Sequence, residues 1–168
     1  NILSMSRAYY KTKESVEEYI EMAKNVTSEQ LIEKLKKFLR PGSLLLEIGS
    51  EPGTDFKILD NFFSATGSDF SLEFLKHLQS EYPNKVFLEL NAITLKTDNK
   101  YDGIYSNKVL QHLTNKQLQL SIAKQNDLLS SKGIVCHSFW KGEGDDIFKG
   151  MLVNYQNEIS LKVLFEKN

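Results

Sequence analysis

Five short apolar runs, each followed by a polar or amphipathic stretch, organise the chain from Ser43 onward. "SLLLEI" (43–48), "SATGSD" (64–69), "KVFLEL" (85–90), "YDGIYS" (101–106) and "GIVCHSFW" (133–140) read as strands. The first is continuously apolar up to Glu47, as expected of a parallel strand buried on both faces. Between the runs, "TDFKILDNFF", "SLEFLKHLQSEY" and "TNKQLQLSIAKQNDLL" read as helices, the last opened by a Thr114–Gln117 capping box. Strands alternating with helices build right-handed βαβ units, hence an open parallel sheet with helices on both faces. In such sheets ligands bind outside the carboxyl ends of the strands, near the point where the strand order reverses. The residues that follow each strand therefore carry the functional question.

Two further helices precede the first strand. Ser15–Lys24 opens with the capping box "SVEE", and "TSEQ" from Thr27 opens a second helix that "RPG" (40–42) stops. Residues 1–42 are thus expected as an N-terminal helical cap, 43–140 as a binding core, and 141–168 as a glycine-rich lid loop plus a C-terminal helix. That helix should have Ser160 as its N-cap and a staple between Ile159 and Leu164. At 168 residues this is one domain's length.

Composition removes several partners. The net charge is −1, and only Arg7 and Arg40 are arginine, so the tool for reading guanine or clamping phosphate is scarce. Sequence-specific nucleic-acid binding is not expected. No stretch approaches the roughly 20 apolar residues that span a bilayer, so no membrane partner is expected. The lone Cys136, among apolar neighbours, reads as an inert thiol of a reducing, cytoplasmic compartment.

After the first strand stand Glu47, Gly49, Ser50, Glu51, Pro52 and Gly53. The dinucleotide pattern G-x-G-x-x-G is absent, and Glu51 would set a carboxylate where a diphosphate lies. A ligand carrying an ammonium or sulfonium suits an acidic loop better. Asp69 ends the second strand 20 residues beyond Gly49, the spacing at which a carboxylate accepts from ribose hydroxyls. Ser71 is placed to cap the following helix. After the third strand, Asn91 offers a carbonyl to an adenine amino group and Ala92 a backbone N–H to a ring nitrogen. Asn91 also reads as a simple turn residue. Together these ends fit an adenosine with a charged amino-acid tail.

From about Leu44 to Trp140 the chain resembles the class I S-adenosylmethionine-dependent methyltransferases. The carrying segments are "LLLEIGSEPGTDF", "ATGSDFSLEFLKHL", "VFLELNA" and "YDGIYSNKVLQHLTNKQLQLSIAKQNDLLSSKGIVCHSF". The resemblance implies an α/β, open Rossmann-like, mostly parallel sheet of order 3-2-1-4-5, with the family's usual C-terminal strand pair missing. It implies S-adenosylmethionine as cofactor and S-adenosylhomocysteine as product. By resemblance, Gly49 and Gly53 line the methionine part, Asp69 the ribose and Phe70 the adenine face, with Glu47 and Ser50 also among the cofactor-binding residues. Asn91 and Ala92 would meet the adenine edge, and Ser106 would present its backbone to the methionine ammonium. The family usually has glycine at the Glu51 position and often aspartate at Asn91. Because Pro52 follows it, Glu51 is expected to be extended.

Methyl transfer from a sulfonium is an in-line displacement that needs alignment more than acid–base groups. Candidate bases are His112, which matches the family's "L-x-H-L" histidine, and Tyr10 or Tyr9. His137, inside a strand, reads as a satisfied core histidine, and His77 as a solvated one. The histidines and the cysteine do not fall at metal-ligand spacings, so no metal is expected. "SNKVL" stands where DNA amino-methyltransferases of the family carry an "N-P-P-Y"-like motif, so a small-molecule acceptor is expected. Two other readings share this fold. One is a non-catalytic binding or interaction module; the other is a nicotinamide-dependent oxidoreductase, favoured by Asp69 and opposed by the missing glycine pattern.

Overall fold

The computed structural model describes residues 28–167. The Ser15–Lys24 helix, Thr27, Tyr9 and Tyr10 lie outside the described residues. In chain order the elements are α1 (Glu29–Lys36), β1 (Leu44–Ile48), α2 (Thr54–Asp60), β2 (Ser64–Asp69), α3 (Leu72–Glu81), β3 (Phe87–Glu89) and β4 (Tyr101–Asn107). A 3-10 turn (Leu110–His112), α4 (Asn115–Leu128), β5 (Leu129–Ser138), β6 (Asp145–Phe148), β7 (Met151–Asn154) and α5 (Glu158–Glu166) follow.

The main sheet runs β3-β2-β1-β4-β5, and every neighbouring pair is parallel. Strand alternation sends successive side chains to opposite faces. Leu45 of β1 and Tyr105 of β4 pack with Ile32, Leu35, Phe56 and Leu59 from α1 and α2. Leu46, Ile48 and Ile104 pack on the other side with Leu90, Leu95 and Leu128. Three of the five β1 side chains are thus buried aliphatics in two different clusters, which is why the run in the sequence is unbroken.

The local signals hold in part. The Thr114 side chain accepts from Gln117 N at 3.2 Å, while Gln117 accepts from Thr114 N at 3.0 Å. Removing that cap with Thr114→Ala is expected to cost about 1 kcal/mol. Urea denaturation should show the lower midpoint at an unchanged slope. Ser71 caps α3 through Phe74 N. By contrast, Ser28 caps α1 without a side-chain bond. At α5 the cap is Asn157, and Ser160 is its partner three residues on. Ile159 is exposed, so the expected staple with Leu164 does not form.

Two expectations need correcting. β5 begins at Leu129 rather than Gly133, because the chain pairs with Tyr101, bulges, and then pairs again from Ile134. The segment read as a lid loop folds into an antiparallel hairpin, β6–β7, separate from the main sheet. Its turn is Lys149–Gly150, both with positive φ (49° and 75°), the backbone a two-residue type I′ turn requires. All four residues of β7 are buried. "DDIF-KG-MLVN" therefore hid a hairpin in a stretch that looked merely polar.

Candidate functional site

A cavity opens at the carboxyl ends of β1, β2 and β3, the place where ligands bind in open α/β sheets. Gly49, Glu51, Asp69, Phe70, Asn91 and Ala92 line one part of it, and Val109, His112 and Met151 another. Five of the nominated cofactor residues are brought together there: Gly49, Asp69, Phe70, Asn91 and Ala92. Glu47, Ser50, Gly53 and Ser106 are not among its lining residues.

The loop after β1 is held tightly to β2. Ser50 N donates to Ser68 O at 2.8 Å, Ser68 N donates to Ser50 Oγ at 2.9 Å, and Ser68 Oγ donates to Glu47 O at 2.6 Å. Ser50 thus fixes the loop rather than facing the cavity. Gly49 has φ 71°, and a Cβ there would stand 2.6 Å from Val109 Cγ2. Only glycine meets both conditions. Gly53 caps α2 at φ 100°, against Leu78. The expected extended Glu51 is joined to Pro52 by a cis peptide.

Two carboxyl groups at these strand ends are buried. Glu47 is 3% exposed, and its Oε2 makes no hydrogen bond among the described residues. Burial, then the like charges of Asp55, Asp69 and Glu51, push its carboxyl well above the usual range. Burial pushes Asp69 up to about 7, even though the backbone N–H groups of Ser71, Glu51 and Phe70 donate to it and pull the other way. Desolvation is the largest of these effects and outweighs the three backbone donors. Both carboxyls thus hold their protons to higher pH than exposed ones do, and a bound cation would favour their ionised forms.

Asn91 spends one lone pair on its own turn: Oδ1 accepts from Ile93 N at 2.8 Å. Its turn-residue reading is thus realised, and the second lone pair and Nδ2 remain for a ligand. Ala92 is fixed from behind by a one-way chain of donors. Ser106 Oγ pairs with His137 Nδ1 and Gln125 Oε1 with His137 Nε2, both at 2.7 Å. Gln125 Nε2 then donates to Ser121 Oγ, and Ser121 Oγ donates to Ala92 O. Burial lowers His137 to about 3, so it sits in this chain as a neutral core histidine. The side chain of Ser106 belongs to that chain.

His112 was nominated as a possible base and lines the cavity. Its Nδ1 lies 2.7 Å from Leu152 O of β7. Val109, Leu113, Ile93 and Met151 were not assigned to the site in the sequence. The hairpin that delivers Met151 is invisible to a βαβ pattern. Cys136 is half-buried with its thiol pushed up by burial, as an inert thiol should be. Among the described residues no group of three or more His, Cys, Asp or Glu is arranged to hold a metal ion. No described helix is long and apolar enough to cross a membrane.

A family model described as a methyltransferase domain matches residues 46–137, more than half of the chain. The chain belongs to the methyltransferase domain family. The matched span runs from β1 to β5 and takes in the cavity's whole β1–β3 side. Known folds agree. The structure of DhpI in complex with SAH is 15% identical, with a TM-score of 0.77 over 99% of this chain and 86% of that one. An S-adenosylmethionine-dependent methyltransferase from Clostridium acetobutylicum is 11% identical, with a TM-score of 0.71 over 88% and 83%. The 1,6-didemethyltoxoflavin-N1-methyltransferase of Burkholderia thailandensis, with bound 1,6-didemethyltoxoflavin and S-adenosylhomocysteine, is 18% identical. Its TM-score is 0.70 over 82% of this chain and 64% of that one. No curated protein matches the chain in sequence. At these identities the likeness establishes the Rossmann-like methyltransferase fold, and what the site takes must be argued from its own residues.

Proposed function

We propose that this methyltransferase-family chain binds S-adenosylmethionine in the strand-end cavity and directs its methyl group to a small acceptor by in-line displacement. The carrying observation is that one cavity takes in Gly49, Asp69, Asn91 and Ala92, which follow three different strands, together with Phe70, which the family resemblance implies. The residues fit the group. The left-handed Gly49 leaves the cavity bare of a Cβ. Glu47 Oε2, two residues before it at the end of β1, has no hydrogen-bond partner among the described residues and could accept from a cation. Bound there, the cofactor supplies a methyl group on a sulfonium.

The chain's residues then have distinct tasks. Asp69 accepts from the ribose hydroxyls, and Phe70 covers an adenine face. Asn91 and the Ala92 N–H meet the adenine edge, with Ala92 held in register by Ser121. The Glu47 and Asp69 carboxyls would ionise more readily beside an ammonium or a sulfonium, whereas a diphosphate would oppose their ionisation. Val109, Leu113 and Met151 provide an apolar wall for the acceptor, which suits a small molecule.

Calorimetric titration tests this. S-adenosylmethionine and S-adenosylhomocysteine are expected to bind with dissociation constants near micromolar, about −8 kcal/mol, and NAD is expected to give no heat. Absence of heat with both adenosyl ligands in folded protein would sink the proposal and leave a non-catalytic interaction module.

A further inference from the structure

We infer that Nε2 of His112 takes up the proton lost in methyl transfer, and that the acceptor is a small molecule whose attacking oxygen or nitrogen bears a proton. This rests on the methyltransferase reading above and adds the substrate class and a catalytic residue to it.

The geometry begins with the Leu152 carbonyl. A carbonyl oxygen only accepts, so Nδ1 of His112, 2.7 Å away, must carry the hydrogen. The neutral ring then has its lone pair on Nε2, which makes no hydrogen bond among the described residues. The second buried histidine differs: His137 has both nitrogens engaged, by Ser106 and Gln125, and has no free base to offer. His112 lies on the same cavity as Asp69 and Asn91, beside Val109, Leu113 and Met151. That arrangement is the triad logic of an oriented imidazole, with a β7 carbonyl as the orienting group.

Burial lowers the His112 pKa, with the Leu152 carbonyl acting in the opposite sense, so the ring is neutral at physiological pH. The charged groups on the same cavity are Glu51 and Asp69, and burial is the largest influence on the His112 ring.

The chemistry balances without a further reagent. The acceptor's lone pair bonds to the methyl carbon as the carbon–sulfur bond breaks, and that bond's electron pair returns to sulfur, leaving a thioether. The O–H or N–H proton of the acceptor passes to Nε2 and then to solvent. An acceptor without such a proton would gain nothing from the base. The apolar neighbours Val109, Leu113 and Met151 favour a phenol or an aryl amine over a highly charged acceptor.

Two variants separate base from scaffold. In His112→Asn the amide N–H₂ stands in for Nδ1–H toward Leu152, while Nε2 is gone. In His112→Gln the reach of Nε2 is kept and the Leu152 bond is lost. Long-range ¹H–¹⁵N spectra of the ligand-free protein should show the Nδ1–H tautomer and a titration midpoint below that of free histidine. With S-adenosylmethionine as donor, a panel of phenols and primary aryl amines is tested beside tertiary amines. Methylation is expected of the first two classes, with kcat/KM rising with pH through the His112 midpoint. His112→Asn should lose on the order of 10²–10⁴-fold in kcat while donor affinity stays unchanged. An Nε2–H tautomer, full activity in His112→Asn, or methylation confined to tertiary amines or absent across the panel would overturn the inference while donor binding stands. Loss of donor binding by the unmodified protein would instead remove the underlying reading.

Discussion

Gly49→Ala is expected to destabilise the protein by about 2–4 kcal/mol and to weaken donor binding at least tenfold. Two independent costs meet at this position. The backbone is left-handed at φ 71°, which charges a side-chain-bearing residue roughly 1–2 kcal/mol. The new Cβ would also fall 2.6 Å from one Val109 methyl and 3.0 Å from the other. Val109 is β-branched and stiff at χ1, so it cannot simply rotate away, and overpacking costs about 1–3 kcal/mol. Pushing Val109 aside moves a wall of the cavity, which is why binding suffers together with stability. A double-mutant cycle with Val109→Ala separates the two costs. The second substitution should recover the steric share and leave the backbone share. Full recovery would mean that the φ penalty is negligible here, and no recovery that the contact is.

The parallel sheet was legible because strands alternate with helices and β1 buries residues on both faces, which makes its side chains an apolar run. The strand order came from the family resemblance. The strand-end residues were legible for a related reason: topology fixes where a ligand sits, so Asp69 and Asn91 could be nominated by position alone. The other side of the cavity was not. Met151 and Leu152 reach the site through a hairpin whose only local signature is Lys149–Gly150, and β6 is exposed while β7 is buried. The Ser106 hydroxyl is committed to His137, a partner its place at the end of β4 did not announce. A strand-end rule locates a residue along the strand and says nothing about which partner claims its side chain.

Glu47→Gln is expected to act in opposite directions on stability and on binding. In the unfolded chain a glutamate ionises near its ordinary pKa of ~4.3. In the folded protein, burial and three neighbouring carboxylates hold the proton to well above that. Between those two values the native state binds more protons than the unfolded state, so stability falls as pH rises. Asp69, pushed up to about 7, adds to the same slope. The ligand-free protein should therefore lose melting temperature as pH rises from about 4 toward 7, between the unfolded carboxyl value and that of Asp69. Glutamine has the same shape and no proton to lose. The variant should be the more stable form at pH 8, by up to a few kcal/mol, the cost of an ionised buried carboxylate. Its melting temperature should also depend less on pH. Binding should move the other way, because the acceptor that a cation would pair with has lost its charge. Hydrogen bonds to charged groups are worth about 1.5–3 kcal/mol, which corresponds to a ten- to hundredfold weaker hold on S-adenosylmethionine. Calorimetry near pH 7 in two buffers of different ionisation heat should show proton release when the unmodified protein binds the donor, and less in the variant. A variant that is less stable at every pH and binds the donor as before would mean that Glu47 is a packing residue, and that the acidic strand ends do not select a cationic ligand.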